Sequence, residues 1–345
     1  MKHFLGFLVA VFTILFLFFL NRTEESAKKL VIPTLRVFAY DSFASQAGQS
    51  LKEIFEKDCA CRVEFFSGTD SGILLQRLKI EGESLGADLV IGLDQYDLSK
   101  AASLVKWRKL SVSDIEYAPP VKAALVNPYF LPYDWGVLGF VSKKNDLQFP
   151  KKLNDLLKPE WAKRVALQDP RTSSPGLQFY LWVLKMKGQD EGAKFLHALM
   201  KAGFSFSGSW SQSYGFFLKS QADLVFSYVT SPVYHEVVEN DLNYQFISFE
   251  EPLPMQFEYF AVPEFCKQCE LAEKFISLMM SVEGQKEIMN KNVMFPVVAS
   301  AMKGTAYEKA YQQISSMKVI THVDTPSVEE IERHLKKWAE IRRRD

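Results

Sequence analysis

The sequence predicts an α/β protein of two lobes, each a mostly parallel sheet flanked by helices, with a ligand cleft between them. Three observations carry this expectation. Strand-like and helix-like segments alternate along most of the chain. A length of 345 residues with 48% hydrophobic content suffices for two packed cores. Small polar and aromatic residues also recur where strands end and helices begin, the place where open α/β sheets hold ligands.

After a polar linker, TLRVFAYDSF reads as a strand ending in a polar turn, and QSLKEIFEKD as the helix after it. CRVEFFSG is a second strand. TDSGILLQRLKIEG is a helix capped by Asp70, with Ile73, Leu74 and Leu78 on one face. ADLVIGLD is a third strand, an apolar run bounded by acids. The aromatic-rich strand in NPYFLPYDWGVLGFVSKKN is where the chain passes between lobes. A second series follows: the strand RVALQD, a helix entered at Ser174, FSFSGSW, the helix SQSYGFFLKS and the strand ADLVFSYV. TSPVYHEVVEN then opens a helix at Ser231 and Pro232, and MQFEYFAVPE returns as a strand. CELAEKFISLMMSVEGQKEIM and the C-terminal SVEEIERHLKKWAEIRRRD are helical. The expected lobes are 34–131 with 264–345, and 132–263.

Residues 1–24 read as a targeting segment. Lys2 and His3 precede an apolar run from Phe4 to Leu20, a short positive region followed by a hydrophobic one. Seventeen apolar residues also lie at the lower limit for spanning a bilayer, and no small-x-small cleavage site follows Leu20. A cleaved signal and a retained anchor both fit, and either one exports the rest of the chain. Lys+Arg and Asp+Glu are 41 each, which argues against a nucleic-acid partner. Cys59 with Cys61, and Cys266 with Cys269, have spacings compatible with zinc. No histidine stands near either pair, and an oxidising compartment favours disulfides.

Tyr40, Asp41 and Ser42 follow the first strand, and Asp70 with Ser71 opens the helix after the second. Ser173 and Ser174 follow VALQD, Trp210 follows FSFSGS, and Tyr228, Thr230 and Ser231 follow DLVFSYV. Taken singly, each is a cap or a strand-end aromatic. Together they suit one ligand: helix N-termini and hydroxyls for anionic oxygens, Trp and Tyr faces for rings and cations, Asp70 and Asp134 for a positive charge or an amine. No GxSxG elbow, GxxxxGK[ST] loop or GxGxxG turn is present. His197 and His235 read as structural histidines.

The segments YDSFASQAG, LLQRLKIEG, ADLVIGLD, LQDPRTSSPGL, WSQSYGFFLKSQADLVFSYVTSPVYH and MFPV, in this order between about residues 34 and 300, resemble the periplasmic thiamine-binding proteins of bacterial ABC importers. The resemblance implies a type II periplasmic-binding-protein fold that closes over thiamine, thiamine monophosphate or thiamine diphosphate and delivers it to an ABC transporter permease. It places ligand contacts at Tyr40, Asp70, Ser71, Ser173, Ser174, Trp210, Tyr228, Val229, Thr230, Ser231 and Tyr234. It also implies a Cys59–Cys61 disulfide, a periplasmic monomer, no catalytic residue, no metal and no cofactor.

Two departures stand out. Val293 in NVMFPV occupies the place of a tryptophan, removing an aromatic wall, and Val229 replaces a threonine. A thiamine-degrading enzyme of the same two-lobed fold is the rival from another class, and it needs a reactive cysteine in the cleft with a carboxylate base. A binder of ferric ion or a polyamine is the other alternative.

Overall fold

β1 (Thr34–Tyr40) runs into the short α1 (Asp41–Ser45) and then α2 (Ala47–Asp58), as the alternation of buried positions and the polar turn require. β2 (Arg62–Gly68), α3 (Ser71–Glu81), β3 (Leu89–Asp94) and α4 (Leu98–Leu104) complete the first series. The 13-residue β4 (Leu131–Lys143) leads to β5 (Val165–Gln168), α5 (Ser174–Lys187), α6 (Gln189–Lys201) and β6 (Ser205–Ser207). Next come α7 (Trp210–Leu218), β7 (Leu224–Tyr228), α8 (Ser231–Val238), β8 (Tyr244–Ile247) and β9 (Met255–Ala261). α9 (Cys269–Met279), α10 (Val282–Asn292), β10 (Phe295–Pro296), α11 (Ala306–Ile314) and α12 (Val328–Arg342) end the chain. The computed structural model describes residues 32–68, 71–111, 115–144 and 148–343. All these elements belong to one unit, Thr34–Asp345. The 4–20 apolar run lies outside the described residues, and among those described no helix is long and apolar enough to cross a membrane.

The strands follow the order β2-β1-β3-β9-β4-β7-β5-β6, with β8 and β10 also on β4. β2, β1 and β3 are parallel, as are β6, β5 and β7. β4 and β9 run antiparallel to each other and to their outer neighbours. β4 serves both halves: Leu131–Val137 pairs with β9, and Leu138–Ser142 with β7. The result is a two-lobed α/β fold in which one continuous strand passes from lobe to lobe.

Helix starts follow the predicted chemistry. Pro175 and Pro232 occupy first turns, where no backbone donor is needed. The Ser209 hydroxyl caps α7 by accepting from the Gln212 amide at 3.2 Å. The helical run expected across 269–289 instead breaks at Met280, because the Ser281 hydroxyl accepts from the Gly284 amide at 3.0 Å and starts a new helix. α6 and β8 were not among the expected elements. Trp338 of α12 packs between Tyr180 and Phe206 and donates to Asp169 Oδ1 at 3.1 Å, and Arg342 holds Asp169 Oδ2 at 2.6 Å. The last helix is thereby fastened to β5, α5 and β6. Cys59–Cys61 and Cys266–Cys269 are both disulfides, with Cα separations of 5.1 and 5.4 Å.

Candidate functional site

A cavity of about 300 Å³ opens where the strand ends of the two halves face each other. That is the lower end of the size range for small-molecule sites. Tyr40, Ser174, Trp210, Tyr228, Ser231 and Tyr234, six of the residues singled out in the sequence, line it together. Two glycines seat two of these rings. Gly92, at φ +103°, lies so close beneath Tyr40 that a Cβ there would come within 2.2 Å of the ring. A Cβ on Gly136 would come within 2.7 Å of the Tyr228 ring. Each tyrosine ring lies against bare backbone on the neighbouring strand.

The wall from α7 and α8 is a hydrogen-bonded aromatic stack. Trp210 stacks on Tyr214 with centroids 4.9 Å apart and donates its indole N–H to Ser227 Oγ at 2.9 Å. Ser227 in turn bonds Ser231 at 2.8 Å. Tyr214 bonds His235 Nε2 at 2.8 Å, and His235 Nδ1 meets Glu239 Oε2 at 2.6 Å. Both ring nitrogens of His235 are thereby engaged, and the imidazole bridges Tyr214 and Glu239.

Around Asp134, which the sequence offered for a positive charge, stand groups that sequence reasoning passed over. Glu258 Oε2 accepts from both Tyr40 (2.6 Å) and Tyr133 (2.7 Å), and Glu258 Oε1 from Gln256 at 3.0 Å. Asn292 Nδ2 donates to the Tyr40 oxygen at 2.9 Å and to Asp134 Oδ2 at 2.7 Å. Asp94, Glu258 and Asp134 are register neighbours on β3, β9 and β4, so three acids stand abreast. All are buried, and among the described residues none is in an ion pair with a base. Burial raises the pKa of all three; the Glu258 charge raises Asp134 further, and the Asp94 charge adds to Glu258. Ser174 bonds Asp94 from the entrance of α5.

The remaining expected residues fall elsewhere. Ser173 is buried at the start of α5, makes no capping bond, and its hydroxyl has no partner there. Val229 is buried, with its amide donating to the Val137 carbonyl. Thr230 is buried and donates to the Val293 carbonyl at 2.5 Å. These three are therefore not on the cavity wall but one layer behind it, because alternate positions on a turn point into the protein. Asp70 lies outside the described residues, and of Ser71 only its place at the start of α3 is described. Val293 does line the cavity, in the left-handed conformation at φ +57°. The cavity's lining includes no cysteine, since all four are bridged.

The chain matches the family model described as bacterial extracellular solute-binding protein over residues 87–321. It is 39% identical over 273 residues to the thiamine-binding periplasmic protein of Salmonella typhimurium, covering 78% of this chain and 83% of that one. The thiamine-binding periplasmic protein of Escherichia coli K12 is 37% identical over 289 residues, 83% of this chain and 87% of its own. The solved structure titled "Periplasmic thiamin binding protein" superposes with a TM-score of 0.77 at 33% identity, covering 91% of this chain and 97% of that one. Fold, strand order and these matches agree: the chain belongs to the bacterial extracellular solute-binding proteins, in the family of the thiamine-binding periplasmic proteins.

Proposed function

We propose that this chain is the substrate-binding component of an ABC importer, taking up thiamine, thiamine monophosphate or thiamine diphosphate in the periplasm and handing it to a membrane permease. The observation that carries the proposal is the meeting of three chemistries in one cavity. Faces of Trp210, Tyr228 and Tyr40 suit flat rings. An acidic floor without a countercharge suits a cation. The α5 and α8 entrances at Ser174 and Ser231 suit phosphate or hydroxyl oxygens. Thiamine and its phosphates combine two rings, a fixed positive charge and a hydroxyl or phosphate tail.

We further propose lobes of 34–131 with 264–345 and of 132–263, with α12 reaching back onto the second, and ligand capture by a monomer. A binding role rather than catalysis is supported by the bridging of every cysteine, which leaves a thiaminase-like reaction without a nucleophile. Whether residues 1–24 are cleaved or tether the protein is a separate matter for mass determination. Calorimetric titration with thiamine and both phosphates tests the reading: sub-micromolar binding of at least one supports it, and no heat from any of the three overturns it.

A further inference from the structure

We infer that the row Asp94–Glu258–Asp134 holds a proton in the empty cleft and gives it up when a cationic ligand enters, making this row the element that selects ligands by positive charge. The inference rests on the proposed thiamine site and deepens it. Its basis is geometric. Three carboxyl groups occupy neighbouring positions on adjacent strands, where same-face side chains lie about 5 Å apart. Three negative charges at that spacing, buried and with no base paired to them among the described residues, are not held together.

The groups facing the row from each element are known. Tyr40 comes from β1, Tyr133 from β4, Gln256 from β9, Asn292 from α10 and Ser174 from α5, all neutral hydrogen-bonding groups; at the Asp94 end stands a further acid, Asp97, whose Oδ2 accepts from the Asp94 amide at 3.1 Å. Lys291, exposed at the cavity edge, is the basic residue among the lining groups, apart from the Glu239-bound His235. Tyr40 and Tyr133 donate to one oxygen of Glu258, which marks Glu258 as the ionised member and Asp134, with one donor, as the protonated one. An independent observation points into the cavity: Gln256 is 1% exposed and lines it, and among the described residues its Oε1 has no partner. Glu258 lines the cavity beside it, while Asp134 and Asp94 lie buried behind. Glu258 and the Gln256 oxygen suit the positive edge of a ligand.

When the cation binds, its charge takes the place of the proton, which leaves the carboxyl for buffer. Linkage then requires affinity to rise with pH by up to tenfold per unit where one proton is released. The test is calorimetric titration of the purified protein with thiamine at about pH 6, in buffers of different ionisation enthalpy. Release of about one proton per thiamine, a positive slope of affinity with pH, and loss of both in Asp134→Asn are the expected results. Binding with no proton exchange, or with proton uptake, overturns the inference and leaves the import reading intact. If neither thiamine nor either of its phosphates binds, the import reading fails. In that case carboxyl-carbon NMR titration of the empty protein decides: a proton retained on the row near neutrality, and lost in Asp134→Asn, upholds the inference. Three acids ionising near pH 4 sink it.

Discussion

Replacing Asp134 with asparagine should stabilise the ligand-free protein, and do so only above a certain pH. Asp134 is fully buried, and Glu258, its neighbour in the row, is the ionised member. Two unit charges about 5 Å apart, at an effective dielectric of about 20, repel by about 3 kcal/mol. The sign follows from the direction of the shift. Burial raises the Asp134 pKa in the folded state, so between the unfolded value near 4 and the raised folded value the native protein binds more protons. Stability therefore declines as pH rises through that window, by up to about 1.4 kcal/mol per unit for one group, and levels off near the repulsion just worked out. The amide removes the decline while keeping the shape and the bond to Asn292. Unfolding entropy of about 2.1 cal/mol/K per residue makes about 650 cal/mol/K for Thr34–Asp345. Asp134→Asn should then raise the melting midpoint by roughly 4–5 °C at pH 8 and by little at pH 4. Scanning calorimetry across that range measures it. An equal effect at both pH values, or a lower midpoint at pH 8, would refute the electrostatic account.

Trp210→Ala should weaken thiamine binding by roughly 5- to 100-fold, combining the loss of ring stacking and of a cation–π face, about 1–3 kcal/mol; titration that finds unchanged affinity removes Trp210 from the site. Gly136→Ala brings a methyl within 2.7 Å of the Tyr228 ring, so Tyr228 must leave its seat; we expect about tenfold weaker binding and a stability loss of about 1–3 kcal/mol in denaturant titration. Val293→Trp restores an aromatic side chain at the cavity wall and should tighten thiamine binding by roughly three- to tenfold, the worth of one aromatic pair; no gain would mean that the Val293 position does not face the ligand's rings.

What the sequence disclosed and what it withheld divide along one physical line. Features set by local order were legible. Ser174–Pro175 and Ser231–Pro232 do open helices, and Tyr40 and Tyr228 do end strands. Six of the expected residues reach one cavity because strand ends gather at one edge of an open sheet. Glu258 was not legible as a partner of Asp134 and Asp94, since their proximity depends on register between strands far apart in sequence. Nor did QFEYF by itself reveal that β9 lies antiparallel at the centre of the sheet. Ser173, Val229 and Thr230 lie beside the cavity without lining it. They sit in the right turns, but side-chain direction within a turn is decided by packing, and packing turns them inward.

The passage of β4 through both halves has a mechanical consequence. The chain changes sides again between β8 and β9, and a third time on its way to α12. The second and third passages are stitched together, Leu253 N–H to the Lys318 carbonyl and Ile320 N–H to the Leu253 carbonyl, both at 2.8 Å. A joint made of one strap would leave the two bodies free to swivel. The first passage is tied to the second as well, Leu138 N–H to the Pro254 carbonyl at 2.9 Å, so three straps bonded in series resemble a door hinge more than a swivel. We expect any movement of the two halves to be confined to one easy rotation.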